Sequence, residues 1–287
     1  MKVKRSERLI DITQYLMSRP RTLIPLTFFA ARYESAKSSI SEDLAIVKRT
    51  FAARGTGILQ TVPGAAGGVR YIPAVTREFA ETFLQNAAQR LAEKERLLPG
   101  GYVYLSDLLG QPTILNDIGR LIATQYVRKP VDVVMTVATK GIPIAQATAS
   151  YLNIPFVIVR RDSKVTEGST VSVNYVSGSS NRIEKMELSK RSLREGAKVL
   201  VVDDFMKGGG TVNGMRTLIN EFDAELVGIA VFAEAIFSGK PMVSNYSSLL
   251  RVDDVNTQEQ TIVANPGNYL DNTTFLDELA QPVATHS

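Results

Sequence analysis

One segment indicates the fold most strongly: Val199-Leu200-Val201-Val202-Asp203-Asp204-Phe205-Met206-Lys207-Gly208-Gly209-Gly210-Thr211. Its apolar start predicts a buried strand that ends in two carboxylates, and its glycines predict a tight turn into a helix. Carboxylates accept hydrogen bonds from vicinal hydroxyls, and glycines let backbone N–H groups crowd around a phosphate at a helix N-terminus. The spacing matches neither a P-loop nor a Gly-x-Gly-x-x-Gly motif. The stretch therefore indicates a site for a ribose 5-phosphate.

Strands and helices alternate on both sides of this stretch, which predicts an α/β domain with a parallel sheet and covering helices. Apolar runs predict strands at residues 131–137, 156–159, 198–202 and 226–231. Helical spacing of apolar residues predicts helices at 75–96, at 114–127, from the 138–141 turn to Leu152, and at 211–222.

Two further segments fit a site at the ends of these strands. The turn Ala138-Thr139-Lys140-Gly141 follows the first strand, and its amides and Lys140 suit a diphosphate. Residues 160–181 are polar and resemble the mobile loop that closes over the ligand in type I phosphoribosyltransferases, which implies that Lys164 reaches that diphosphate. The same segment is equally well explained as an ordinary long hairpin.

The first 74 residues predict a separate winged helix-turn-helix domain, which leaves residues 75–287 for the α/β domain. Helices are predicted at 6–18, at 25–33 and from a capping box at Ser39–Glu42 to the glycines at 55 and 57. Strands at 58–62 and 69–72 flank the glycine-rich residues 63–68 and predict a hairpin, the wing. In such a domain the third helix enters the major groove of DNA.

The charge distribution favours a polyanionic partner for this first domain. Residues 1–74 carry twelve basic and five acidic side chains, a net charge of +7, so the rest of the chain carries −3 of the total +4. A domain used only for protein contacts is the alternative. The predicted contacts with double-stranded DNA are made by Lys4, Arg5, Lys37, Ser38, Ser39, Ser41, Lys48, Arg49 and Arg70.

Composition excludes several kinds of chemistry. The chain has no cysteine, and its one histidine is His286 near the end, so disulfides, thiolate metal sites and a Ser-His triad are excluded. We therefore predict no catalytic residues and no resident metal. The basic start of the chain leads into an amphipathic pattern, and no apolar run reaches about 18 residues. We predict a cytoplasmic protein that does not enter a membrane.

Residues 199–211 closely resemble the PRPP (phosphoribosyl pyrophosphate) signature of type I phosphoribosyltransferases. With a winged helix before it, nearly the whole chain resembles the PurR family, the purine operon regulators of Gram-positive bacteria, although the segment after about Glu234 is less distinctive. The resemblance is carried by residues 23–29, 36–44, 62–68, 98–102, 165–170 and 203–211.

This resemblance implies a homodimer that binds purine-gene control DNA and senses PRPP, accompanied by Mg²⁺, without turning it over. It implies that Asp203 and Asp204 bind the ribose hydroxyls and that residues 138–141 hold the pyrophosphate. Tyr102 and Phe205 are the candidates to flank a nucleobase. The 5-phosphate is assigned to Phe205, Met206, Lys207, Gly208, Gly209, Gly210 and Thr211.

Two other functions remain open on the sequence. PRPP binding and phosphoribosyl transfer share these residues, so a catalytic purine phosphoribosyltransferase with an appended regulatory domain is the main alternative. Guanosine polyphosphates also fit a pocket with ribose and diphosphate subsites. The sequence does not distinguish a repressor from an activator.

Overall fold

The computed structural model describes residues 3–64, 66–162, 165–177 and 182–272. The chain divides into two compact units. The first contains the residues up to Arg77 and the short segment Tyr151–Asn153, and the second contains Glu78–Ser150 and the described residues from Ile154 to Asn272. No helix within the described ranges combines the length and the apolar character that a membrane crossing requires.

The first unit is a winged helix-turn-helix, as the sequence predicts. Three helices precede a hairpin, and the hairpin joins a short strand in an antiparallel sheet of order β1-β3-β2. The elements are α1 (Arg5–Met17), β1 (Leu23–Ile24), α2 (Leu26–Arg32), α3 (Lys37–Arg54), β2 (Ile58–Val62) and β3 (Gly68–Ile72).

Helix α3 begins earlier than its sequence indicates, so the predicted capping box at Ser39–Glu42 is wrong. The N-cap is Ala36, whose backbone is extended and whose carbonyl accepts the N–H of Ile40 at 3.2 Å. Ser39 therefore lies inside the first turn, where its side chain does not cap the helix. The predicted end is confirmed, because Gly55 adopts a left-handed conformation at the C-cap.

A buried ion pair joins α1 to α3 in this unit. The carboxylate of Asp43 is fully buried and accepts hydrogen bonds from Arg8 Nε at 2.5 Å and from Arg5 Nε at 2.9 Å. The Arg8 guanidinium also donates to Ser35 Oγ at 3.1 Å. The apolar core of the unit includes Ile12 of α1, which is fully buried. The pair therefore fixes the angle of α3 from inside the domain.

The second unit is built on a six-stranded sheet of order β13-β12-β11-β10-β6-β7. Every neighbouring pair is parallel except β12 and β13. The sheet strands are β6 (Val133–Val137), β7 (Phe156–Val159), β10 (Lys198–Met206), β11 (Glu225–Ala235), β12 (Ser247–Asn256) and β13 (Thr261–Pro266). The remaining elements are α4 (Arg77–Leu91), β4 (Leu97–Leu98), β5 (Tyr102–Val103), α5 (Pro112–Gln125), α6 (Gly141–Leu152), β8 (Thr170–Val176), β9 (Ile183–Ser189) and α7 (Gly210–Glu221).

Strand β10 lies in the middle of the sheet, and its residues from Val199 to Val202 are fully buried. One face of the strand packs on α7 in an apolar cluster that includes Val201 and Met215. Helices α5 and α6 pack tightly on each other, since a Cβ at Gly119 would lie 2.8 Å from the backbone of Ala147. This layered arrangement is the parallel α/β fold that the sequence predicts, and it places the ends of β6 and β10 at the same edge.

The structure differs from the predicted elements in several places. Strand β10 continues to Met206, so the two aspartates are strand residues and do not follow the strand. Helix α4 ends at Leu91, and residues 94–96 form a separate 3₁₀ turn. Strands β12 and β13 lie beyond Glu234, where the sequence carries no distinctive pattern.

The polar stretch between Arg160 and Asn181 contains the start of a hairpin. Strands β8 and β9 pair antiparallel from Thr170 with Ser189 to Val176 with Ile183. A hairpin is therefore present in the described part of this stretch, and its closing over the ligand stays a prediction. Lys164 lies outside the described residues, so its assignment to the diphosphate stays a prediction.

Candidate functional site

Two loops meet at the carboxyl edge of the sheet, one after β6 and one at the end of β10. The Thr139 hydroxyl donates to Asp204 Oδ1 at 3.2 Å, and the Gly141 N–H donates to Thr139 Oγ1 at 3.3 Å. A Cβ at Gly141 would lie 2.4 Å from Thr136 Oγ1 and 3.1 Å from Asp203 Oδ1. Glycine is therefore required at 141 for the loops to approach, and the predicted ribose and pyrophosphate subsites are adjacent.

The two aspartates have different environments. Asp203 is 4% exposed, and its Oδ1 accepts the N–H of Asp204 at 2.9 Å. Burial, followed by repulsion from the Asp204 carboxylate, raises the pKa of Asp203 well above the ordinary value for aspartate. Asp204 is partly exposed and faces the Thr139 hydroxyl. The edge therefore holds two neighbouring carboxylates, of which the inner one is destabilised when charged.

The glycine turn presents backbone amides beside these carboxylates. Gly208 and Gly209 have φ values of +75° and +78°, and α7 begins at the next residue. A Cβ at Gly209 would lie 2.6 Å from Val243 Cγ2, so a side chain is excluded by contact as well as by conformation. The first amide bonded within α7 is that of Asn213, which donates to the Gly209 carbonyl at 2.9 Å. The N–H groups before it are those that a helix N-terminus offers to an anion.

The other residues predicted for this site differ in the solvent exposure of their side chains. Lys207 and Lys140 are exposed, Phe205 and Thr211 are partly exposed, and Ala138 is exposed at the start of its loop. Met206 is buried in the apolar core, so only its backbone remains for a ligand. The assignments themselves stay predictions.

Tyr102, predicted to flank a nucleobase, lies on the β4–β5 ribbon and is 66% exposed. A Cβ at the neighbouring Gly101 would meet only Thr257 and Val255 within 4 Å, near the carboxyl end of β12. The described contacts therefore do not bring Tyr102 to the aspartates, and its role also stays a prediction.

Two residues near the site were missed by sequence reasoning. Arg161 is the second residue after β7, forms an ion pair with Glu184 at 3.4 Å, and lowers the pKa of Asp203 against the stronger effect of burial. Tyr175 on β8 donates to Glu184 at 2.7 Å and shares a side-chain hydrogen bond with Thr211. Burial and the Glu184 hydrogen bond raise the pKa of Tyr175 to about 12, so its hydroxyl stays protonated. The position of Arg161 at a strand end was the one available signal.

The candidate DNA-binding side chains on α3 mostly share one face. Buried residues such as Ile40 and Val47 form the opposite face. At 100° per residue, Ser39 is the exception, and it is partly buried. The residues on the outward face are Lys37, Ser38, Ser41, Lys48 and Arg49, of which only Lys48 is partly buried.

The remaining predicted DNA contacts lie outside α3. Lys4 is exposed before α1, and its N–H donates to Glu7 Oε2 at 3.0 Å. Arg5 keeps a 55% exposed side chain but is bound to Asp43, so part of its hydrogen-bonding capacity is already used. Arg70 on β3 is partly buried, and its Nε has no acceptor among the described residues. The outward face of α3 is therefore the best-formed part of the predicted interface.

Comparison with known proteins places both units in a family. Residues 4–73 match the family model of the bacterial purine repressor N-terminal domain, and residues 105–263 match that of the phosphoribosyl transferase domain. The purine biosynthesis transcriptional repressor PurR of Bacillus subtilis is 58% identical over 270 residues, which cover 94% of this chain and 95% of that protein. This chain belongs to the PurR family. It is accordingly a transcriptional regulator of purine biosynthesis, and the phosphoribosyltransferase fold serves a regulator, as predicted.

PurR relatives include both repressors and activators. The purine biosynthesis transcriptional activator PurR of Lactococcus lactis subsp. lactis is 54% identical over 266 residues, which cover 93% of this chain and 98% of that protein. Membership of the family therefore does not fix whether this chain represses or activates. Among solved structures, an adenine phosphoribosyltransferase from Thermoanaerobacter pseudethanolicus aligns with a TM-score of 0.51 at 20% identity, over 58% of this chain and 98% of that one. That likeness shows the fold of the second unit alone.

Proposed function

We propose that this PurR-family regulator is a cytoplasmic homodimer that binds the control DNA of purine genes and senses PRPP at the edge formed by β6 and β10. The observation that carries the proposal is the hydrogen bond from Thr139 to Asp204 at 3.2 Å. It joins a loop suited to a diphosphate to a carboxylate suited to ribose hydroxyls, and the glycine turn beside them suits the 5-phosphate. PRPP carries these three groups in one molecule.

Mg²⁺ accompanies PRPP in this proposal. Among the described residues, no three His, Cys, Asp or Glu side chains are arranged to hold a metal ion. The carboxylates of Asp203 and Asp204 supply oxygen atoms, the hard ligands that Mg²⁺ prefers, and diphosphate oxygens supply more. The ion would neutralise diphosphate charge, while this chain's own residues bind and orient the sugar.

PRPP acts on DNA binding through a coupling energy, which is typically about 1–3 kcal/mol. The test is an electrophoretic shift on purine-operon control DNA with and without Mg²⁺-PRPP, for wild type and for the Asp203→Ala/Asp204→Ala variant. We expect PRPP to change the wild-type affinity about fivefold or more, and to leave the variant's affinity unchanged. An equal response of both proteins would refute sensing at this site.

The catalytic alternative makes a different prediction for the same site. Protein incubated with PRPP, Mg²⁺ and adenine, guanine, hypoxanthine, xanthine or uracil releases pyrophosphate if it is a phosphoribosyltransferase. We expect no release above that of a sample without protein. Sustained turnover with any of these bases would make the chain an enzyme with a regulatory domain.

Guanosine polyphosphates are proposed to occupy the same site as PRPP, because the ribose and diphosphate subsites are adjacent. In a titration, guanosine tetraphosphate should then reduce the apparent affinity for PRPP in proportion to its own occupancy. Simultaneous binding of both ligands to one protomer would end this part of the proposal.

Lys37→Ala and Arg49→Ala should each flatten the salt dependence of DNA binding. Each exposed cation on the outward face of α3 is expected to neutralise one phosphate, so each loss lowers the slope of log K against log salt by about 1. The measurement is fluorescence anisotropy of labelled operator DNA over a series of salt concentrations.

Arg32→Ala is the matched control, because it removes the same charge from α2, where Arg32 is bound to Asp11 at 3.0 Å. An unchanged slope in Arg49→Ala would remove that residue from the interface. No retention of DNA at low salt by the wild type would favour a winged helix used for protein contacts.

Asp203→Asn should stabilise the ligand-free protein at neutral pH. The pKa of Asp203 is raised in the folded state, so its ionisation opposes folding once the pH exceeds the unfolded value, near 3.9. The stability associated with Asp203 is present below that value and is lost as the pH rises through the folded pKa. The melting-temperature gain of Asp203→Asn should therefore grow with pH and then level off. Asp223→Asn, an exposed change, is the control, and a gain independent of pH would contradict the assignment.

A further inference from the structure

Helices α1 and α3 of the first unit border a groove of about 890 Å³ that the proposed function does not use. Its lining is mostly apolar, and Val47 and Phe51 of α3 form a buried floor. Ile10 and Met17 of α1 stand at its rim and are 70% and 47% exposed. Isolated exposed apolar residues are common, but two at the rim of an apolar groove mark a surface for association.

Helix α1 is apolar on two sides. Ile12 and Leu16 are buried in the core of the unit, whereas Ile10 and Met17 lie on the outward side, seven residues or about two turns apart. A helix that is apolar on both sides is expected to be covered on both. The core covers only one of them.

We propose that a second copy of this chain covers the outward side, with α1 of one protomer lying antiparallel to α1 of the other. In a twofold interface both copies use the same surface. That surface must therefore carry both protruding residues and a groove that receives them. The rim residues project and the groove recedes within one patch. A twofold axis between Thr13 and Gln14 sets Ile10 against the partner's Met17 and, by symmetry, Met17 against the partner's Ile10.

The charges on α1 favour this direction of pairing. Glu7 is exposed in the first turn of the helix, and Arg19 is exposed two residues after its end. The Arg19 guanidinium lies 3.9 Å from the centre of the Tyr15 ring, which holds it beside the helix. Antiparallel helices bring Glu7 close to the partner's Arg19, whereas parallel helices would bring Glu7 close to the partner's Glu7.

The pairing is one part of a larger dimer. A specific interface commonly buries about 1,200–2,000 Å², more than two helices of 13 residues supply by themselves. The inference therefore rests on the proposed homodimer and adds to it the surface through which the DNA-binding units meet. It would set the separation of the two α3 helices along the DNA, and with it the spacing of half-sites.

Cross-linking of introduced cysteines can test this pairing without reaction at native thiols, because the full-length chain contains no cysteine. In Gln14→Cys the only thiols lie next to the proposed axis, so a short bis-maleimide should join two protomers. The second step is then intramolecular at an effective millimolar concentration, so the linked dimer should form at least about tenfold faster than in the control. The control is Ser41→Cys, which is also an exposed position and lies on the outward face of α3.

A second substitution separates specific pairing from chance encounter. Ile10→Glu added to Gln14→Cys should abolish the rapid cross-link, because it buries a charge in the groove. Ile10 is 70% exposed, so the variant should fold normally, and Met17→Glu provides an independent repeat. Circular dichroism of each variant checks the fold.

Sedimentation of the wild type separates failure of this inference from failure of the proposed homodimer. A dimer without a rapid cross-link at residue 14 would overturn the α1 pairing and leave the homodimer standing, whereas a monomer would overturn both. Equal rates for Gln14→Cys and Ser41→Cys would also overturn it. A cross-link that appears only after truncation at Asn272 would show that residues 273–287 occupy the groove.

Discussion

Asp203→Asn combined with Asp204→Asn should weaken PRPP binding by at least about 100-fold. Hydrogen bonds to charged groups contribute about 1.5–3 kcal/mol each, and the substitution replaces two charged acceptors with neutral amides. The loss is therefore about 3–6 kcal/mol, and each 1.4 kcal/mol is a factor of ten in affinity. Isothermal titration calorimetry with Mg²⁺ measures it directly.

Asp223→Asn is the matched control for this prediction. Asp223 is an exposed aspartate with a φ of +51°, a conformation that asparagine tolerates, so the same chemical change is made away from the site. Its PRPP affinity should equal that of the wild type. If the double variant also kept wild-type affinity, PRPP would bind elsewhere, and if the control lost affinity, the effect would not be specific to the β10 aspartates.

Asp43→Ala should destabilise the first unit by about 3 kcal/mol. The carboxylate is fully buried, and its removal leaves the Arg8 side chain, which is only 11% exposed, with an uncompensated charge. Breaking a buried pair by removing one partner typically costs about 3–5 kcal/mol. We expect the lower end of this range, because Arg8 keeps its hydrogen bond to Ser35. Urea denaturation followed by circular dichroism measures the change.

Glu42→Ala is the control next in sequence. Its carboxylate lies 3.7 Å from Arg5 and is 70% exposed, so its loss should cost less than about 1 kcal/mol. DNA binding should fall in Asp43→Ala although Asp43 is buried away from DNA, because the residue holds α3 against α1. Equal stability of the two variants would show that the buried pair contributes little.

The sequence predicted the glycine turn and the paired aspartates because their requirements are local. At Gly209 the positive φ and the nearby Val243 side chain both exclude a side chain, so glycine is needed there. An apolar strand that ends in two acids also restricts the topology. The neighbourhood of Thr139 and Asp204 also followed from the rule that parallel strands end at one edge. Their hydrogen bond did not, because it depends on the side-chain geometry of two loops 65 residues apart in sequence.

Other features depend on partners that are distant in sequence. Helical spacing places Asp43 near Ile40 and Val47 and away from Glu42. The sequence does not show that the partner of Asp43 is Arg8 of α1, 35 residues away. Strand β12 escaped prediction for a similar reason. Its Ser248 hydroxyl donates to Glu234 of β11 at 2.5 Å, so the polar side chain satisfies a neighbouring strand and interrupts the apolar pattern that would mark the element.

The hydrogen bond between Thr139 and Asp204 affects which metabolite concentration the regulator would respond to. A ligand that spans both loops loses its translational freedom once, whereas pyrophosphate and ribose 5-phosphate each lose theirs separately. Pyrophosphate, which every phosphoribosyl transfer releases, and ribose 5-phosphate would therefore compete poorly with intact PRPP. The regulator would then respond to the concentration of intact PRPP and not to the concentrations of pyrophosphate or ribose 5-phosphate.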